Sequence, residues 1–205
     1  MFQDPTRALI EVSTLAVRPE LRTELTAVLS DIKANDRASF NELYEVLLQS
    51  YLFAGFPAAL EGVRALERTF GVPPERIIEE EPHAIATEYE QFFARGDALY
   101  QIVYGKNAPR VREEMIRLSP ELAAWAMIEG YGKTLSRSGL PTNTRELCIV
   151  AQLTQLGWDR QLYSHILGAR NTGSSVEAIR EAARIGAHGN EALRARAEQL
   201  LEKLV

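Results

Sequence analysis

TNTRELCIVAQLTQLGWDRQLYSHILGARNTG, residues 142–173, decides the fold. Apolar residues at three and four spacing fill 147–156, Gly157 stops the run, and a second run covers 162–167. The pattern predicts two consecutive helices, because side chains three and four apart share a helical face and glycine readily takes the left-handed conformation that ends a helix. Ser174-Ser175-Val176-Glu177 then predicts a third helix, its Ser174-x-x-Glu177 spacing fitting a capping box. The first two helices carry Glu146 and His165, nineteen residues apart. A carboxylate and an imidazole delivered from neighbouring helices can make a proton relay, since imidazole changes protonation near neutral pH.

Working outward, helical spacing recurs at 9–17, 21–32, 40–53, 59–70, 84–103, 111–118, 122–135 and 179–185. Ser119-Pro120-Glu121 places an N-cap before a proline in the first turn, and Asn143-x-x-Glu146 loosely fits a second capping box. Gly71, Gly105, Gly139, Gly157 and Gly173 stand at the expected stops. No alternating strand or hairpin pattern is visible, so the fold class is all-α.

The 205 residues suffice for one substantial core or two small pseudo-repeats. Hydrophobic residues make up 46% and charged residues 25%, the composition of a soluble globular protein. Net charge is -5 with both signs interleaved, which argues against a nucleic-acid partner. The N-terminus lacks the pattern of a signal peptide, no apolar run approaches membrane-spanning length, and a cytoplasmic location is the default expectation. The single cysteine, Cys148, rules out an intrachain disulfide or a cysteine zinc cluster; no metal or cofactor is expected.

A worn internal repeat is present. Thr6-Arg7-Ala8-Leu9 parallels Thr144-Arg145-Glu146-Leu147, Leu15 parallels Leu153, and Phe40-Asn41-Glu42 parallels Ile179-Arg180-Glu181 with one residue of slip. In this register Ala8 stands where Glu146 stands and Thr26 where His165 stands. The expected organisation is a single compact unit over 1–205: a first degenerate repeat at 1–71, a linker at 72–83 rich in Pro and Glu, and a second repeat at 84–205.

Arg-Glu-Leu at 145–147, the apolar run ending in Gly157, Ser164-His165, Ala169-x-Asn171-x-Gly173 and Glu177-x-Ile179-Arg180-Glu181 together resemble the carboxymuconolactone decarboxylase and alkylhydroperoxidase D superfamily. The likeness runs from about Gly96 to about Ile185, with Tyr104-Gly105, Leu118-Ser119-Pro120 and Ser138-Gly139-Leu140 as lead-in. Tyr51-Leu52-Phe53-Ala54-Gly55-Phe56-Pro57-Ala58-Ala59-Leu60 resembles the segment with which single-repeat members close. The resemblance implies an alkylhydroperoxidase D-like helical bundle built from two degenerate repeats, a Glu beside the His, and an aromatic turn (Tyr51, Phe53, Phe56) walling a pocket that contains His165. In the alkylhydroperoxidase branch two thiols lie four and seven residues before the His; here those positions are Gln161 and Trp158, so disulfide-linked peroxide reduction has no thiol pair to run on.

Glu146 and His165 are the candidate catalytic residues, with Arg145, Trp158, Gln161, Tyr51, Phe53 and Phe56 as candidate substrate-binding residues. Each has a plainer reading. Glu146 at the third helical position suits an N-terminal cap, His165 suits an interior histidine on a backbone carbonyl, and Arg145 suits a surface ion pair. Cys148, inside an apolar run, reads as a buried small hydrophobe. Three functions are carried forward. The first is a carboxymuconolactone decarboxylase-like enzyme, a lyase acting on a small cyclic or keto acid by Glu–His acid/base chemistry. The second is a non-catalytic or ligand-binding helical oligomer on the same scaffold. The third is a peroxidase-related antioxidant protein, chemically the weakest. A homo-oligomer is expected in each case, with a small-molecule acid as substrate or ligand and neither nucleic acid nor membrane as partner.

Overall fold

The computed structural model describes residues 4–71 and 88–204, and every regular element among them is helical. The helices are α1 (Asp4–Ala16), α2 (Arg22–Ala34), α3 (Phe40–Gln49), α4 (Tyr51–Phe70), α5 (Tyr89–Tyr104), α6 (Ala108–Leu118), α7 (Pro120–Trp125), α8 (Thr142–Leu156), α9 (Asp159–Asn171), α10 (Val176–Ala187) and α11 (Glu191–Leu201). A π-helical segment, Ala126–Leu135, continues α7. The linker read at 72–83 lies outside the described residues.

The chain divides into two compact units: 4–71 with 139–204, and 88–138. The stretch read as one second repeat therefore contributes to both units, with α8 to α11 joining α1 to α4 in the larger one. In that unit α8 is the centre. Every residue from Thr144 to Gln155 is buried, and α1, α9 and α10 pack around it. The contact with α10 is close: a Cβ at Gly186 would run into the backbone of Ala151. The helix order of the proposed first copy, α1–α2–α3, recurs as α8–α9–α10, and Ser39 and Ser175 cap the third member of each set.

Several local signals land elsewhere than expected. The cap of α10 is Ser175, which accepts from the Ala178 amide, rather than Ser174. Helix α8 has Pro141 at its N-cap and no side-chain cap; Asn143 turns its Oδ1 to the neighbouring Thr144 amide instead. The run 40–53 is broken at Ser50. Helix α11 was not anticipated, because only Ala197 and Leu201 of its eleven residues are buried and its periodicity is faint; the usable signal was Asn190, which caps two amides.

Two glycines shape the larger unit. Gly139 does not adopt the left-handed conformation assigned to it. It is needed for space: a Cβ there would stand 2.5 Å from Glu45 Cγ. Gly55 has φ 83° and ψ 165°, a backbone region essentially closed to other residues, and it breaks α4 so that Pro57 opens the first turn of a fresh helical stretch. Gly55→Ala is expected to cost about 1–3 kcal/mol of stability. Urea denaturation measures it, and a loss below about 0.5 kcal/mol would show that the break does not depend on glycine.

Unit 88–138 is organised by a close crossing of α5 and the π-helical segment. Gly96 and Gly132 meet there, and a Cβ on either would strike the opposite backbone. Tyr100, fully buried, lies in a ring cluster with Tyr104 and Tyr131, and Arg112 covers its face. Burial pushes its hydroxyl above the ordinary tyrosine range.

Candidate functional site

Glu146 and His165 come together in the larger unit. The His165 Nδ1 lies 2.9 Å from Glu146 Oε2. Helix α8 supplies the carboxylate from its first turns and α9, which packs on α8 after the left-handed Gly157, supplies the imidazole. Neither plainer reading holds: Glu146 is not a cap, and the partner of His165 is a carboxylate rather than a backbone carbonyl. Both are buried, His165 retaining 6% of its surface and Glu146 2%. An ionised carboxylate can only accept, so opposite an ionised Glu146 the donor is Nδ1–H. Nε2 has no hydrogen-bond partner among the described residues and is the atom left for a ligand.

Phe53 faces the same ring edge-on, with centroids 5.7 Å apart and planes at 87°. Tyr51 and Phe56 stack on each other across the break, with centroids 5.0 Å apart. Phe56 is 67% exposed. Of the three aromatic residues expected to wall the histidine, Phe53 makes a ring contact with it, and the other two stack on each other.

Gln161 and Trp158 lie four and seven residues before His165 on α9 and its N-cap, so they continue one stripe of the helix toward solvent. Gln161 is exposed, and Trp158 is 59% exposed. Neither is walled in around a ligand by the described chain.

Arg145 differs most from its expectation. It is 1% exposed, not at the surface, and both terminal nitrogens of its fork donate to protein acceptors. Nη2 donates to Glu45 Oε2 at 2.7 Å and Nη1 to Gln49 Oε1 at 3.2 Å. The Gln49 amide in turn donates to the Arg145 carbonyl at 3.5 Å. A guanidinium engaged in this way is not open to a substrate carboxylate. Sequence reasoning missed Glu45 and Gln49. The signal was present: they are four apart in LYEVLLQ, whose other residues are apolar or aromatic, so they share one helical face in a run built for the core.

Cys148 is fully buried in α8, and burial pushes its thiol up to about 12. It is a protonated core residue at physiological pH, as its sequence context suggested. A thiol reagent such as DTNB at pH 8 is expected to leave it untouched in the native protein and to titrate one equivalent once urea unfolds the chain. Reaction within minutes under native conditions would contradict this burial.

Among the described residues no group of His, Cys, Asp and Glu side chains is arranged to hold a metal ion, and no helix is long and apolar enough to cross a membrane. Residues 120–201 match the carboxymuconolactone decarboxylase family. Peroxisomal protein 2 of Schizosaccharomyces pombe is 32% identical to this chain over 148 residues, 71% of this chain and 67% of that protein.

Proposed function

Because this chain belongs to the carboxymuconolactone decarboxylase family, we propose that Glu146 and His165 form a general acid/base pair acting on a small cyclic or keto acid. The observation that carries the reading is the buried Nδ1–Oε2 contact of 2.9 Å, with Nε2 left to a ligand. Glu146 orients the ring and stabilises the imidazolium; His165 passes a proton through Nε2. In a decarboxylation the bond to the carboxyl carbon breaks, CO2 leaves, and the electron pair remains on the substrate carbon as an enolate. Imidazolium Nε2–H then protonates that carbon, and water restores the proton. Arg145 takes no part in holding the acid. A carboxylate brought against Phe53 without a counter-charge is disfavoured relative to the charge-dispersed transition state, which assists its loss.

The test is a panel of small cyclic and keto acids incubated with the protein in D2O, with CO2 release and carbon-bound deuterium read by NMR. Turnover lost in His165→Ala supports the reading. A wild-type protein inert to the panel, or a variant as active as wild type, rejects it.

A homo-oligomer is part of the proposal. Phe56, Leu60 and Trp158 in one unit and Leu118, Leu122 and Trp125 in the other expose large apolar surfaces, which associating proteins bury. Light scattering after gel filtration decides it, a monomeric mass being the adverse result. A cytoplasmic location completes the proposal; since the fission-yeast relative is by name a peroxisomal protein, cell fractionation must score both compartments.

A further inference from the structure

Helix α8 begins without a side-chain cap, yet its first turns carry the Glu146 carboxylate. Uncapped first turns are where helices fray. Part of what holds this one comes from α3. Glu45 and Gln49, one turn apart, grip the Arg145 side chain, and Gln49 also binds the Arg145 carbonyl. Glu45 is itself confined: it is 5% exposed, and the chain entering α8 packs on it at Gly139, where no larger residue fits. We infer that Glu45 is a positioning residue for the Glu146–His165 pair, acting through Arg145. Its effect on turnover rests on the acid/base reading above; its effect on the histidine ring does not.

The physical reason is tolerance. A hydrogen bond of 2.9 Å weakens steeply when its geometry is lost, and a displacement of about 1 Å in a functional group is enough to be felt in a reaction. With Glu45 and Arg145 engaged, the start of α8 has one rotation and one register against α3. Without them the start of α8 keeps its packing against α1, α9 and α10, the Ser13 hydroxyl on the Cys148 carbonyl and the long Gln49 contact to the Arg145 carbonyl, and the Glu146 end is held less tightly. The first copy, which has lost both acid/base groups, thus supplies the brace for the second.

The experiment reads the tautomer of His165 from long-range nitrogen–proton NMR of 15N-labelled protein. With three histidines in the chain, His165→Ala assigns the signal. The native ring is expected to be mainly the Nδ1–H form. Two variants are compared: Glu45→Gln, which keeps shape and removes charge, and the double variant Glu45→Met with Arg145→Met, which replaces the ion pair by apolar side chains that fill the space. In a variant that keeps native helicity and cooperative melting, the ratio of Nδ1–H to Nε2–H ring is expected to fall by about tenfold, the lower end of what losing an outer partner costs at metal sites. A folded variant with an unchanged ratio overturns the inference. So does unfolding of both variants, which would make the ion pair a condition of the fold and not a positioning device. If the wild-type protein turns over no acid, the acid/base reading fails while the tautomer ratio still decides the role of Glu45.

Discussion

Glu45→Ala is expected to lower the unfolding free energy by about 3–5 kcal/mol. The substitution leaves Arg145, 1% exposed, without its carboxylate partner and poorly accessible to solvent. Removing one member of a buried ion pair costs more than the pair contributes, because the surviving charge stays desolvated. The native pair escapes that cost through complementary geometry: a 2.7 Å charge-assisted hydrogen bond, with Gln49 taking a second guanidinium proton. Arg145→Met is expected to be costly for the same reason, with Glu45 the stranded ion. The double replacement by methionine should recover much of either loss, so the two single effects will not add. Urea denaturation of the four proteins closes the cycle. A loss below about 1 kcal/mol for Glu45→Ala would place the pair among solvated surface bridges.

His165→Ala is expected to reduce turnover of any accepted acid by about 10²–10⁴-fold, the usual contribution of a positioned acid or base. Glu146→Gln should be nearly as harmful although it preserves shape. An amide turned with its NH2 toward Nδ1 selects the opposite tautomer and puts the proton on Nε2 in the neutral ring; the imidazolium also loses its counter-charge. Both sites are buried, so each variant must be shown folded by circular dichroism at the assay temperature. Retained turnover in folded His165→Ala would move the chemistry, if any, to another residue. A loss confined to Glu146→Gln would instead indicate a carboxylate acting alone.

The helices and most of their ends were legible in the sequence because both depend on neighbours a few residues away. Spacing of three and four gave α1, α2, α8, α9 and α10, and Ser119-Pro120 gave the start of α7, where the Ser119 hydroxyl accepts from the Leu122 amide. Where a local signal competed with a distant one it misled. Asn143-x-x-Glu146 has capping-box spacing, but His165 outbids the helix end for the carboxylate. Gly139 stands where a helix stop belongs, but its glycine answers to the Glu45 side chain. The faint periodicity of α11 follows from a helix that buries a narrow stripe and exposes the rest.

The sequence by itself determined the all-α class, the family, the pairing of Glu146 with His165 as the residues to watch, and the absence of a thiol pair, since each is a matter of composition, short-range periodicity or a motif of fixed spacing. The tertiary structure alone decided what Arg145 does, which aromatic residue meets the imidazole, and how α8 is held at an end that lacks a cap. Arg145 meets Glu45 and Gln49 across 100 and 96 residues of chain. Nothing local encodes such a contact: a buried charge takes whichever partner the packing of other helices brings within reach, and that partner is fixed only when the core closes.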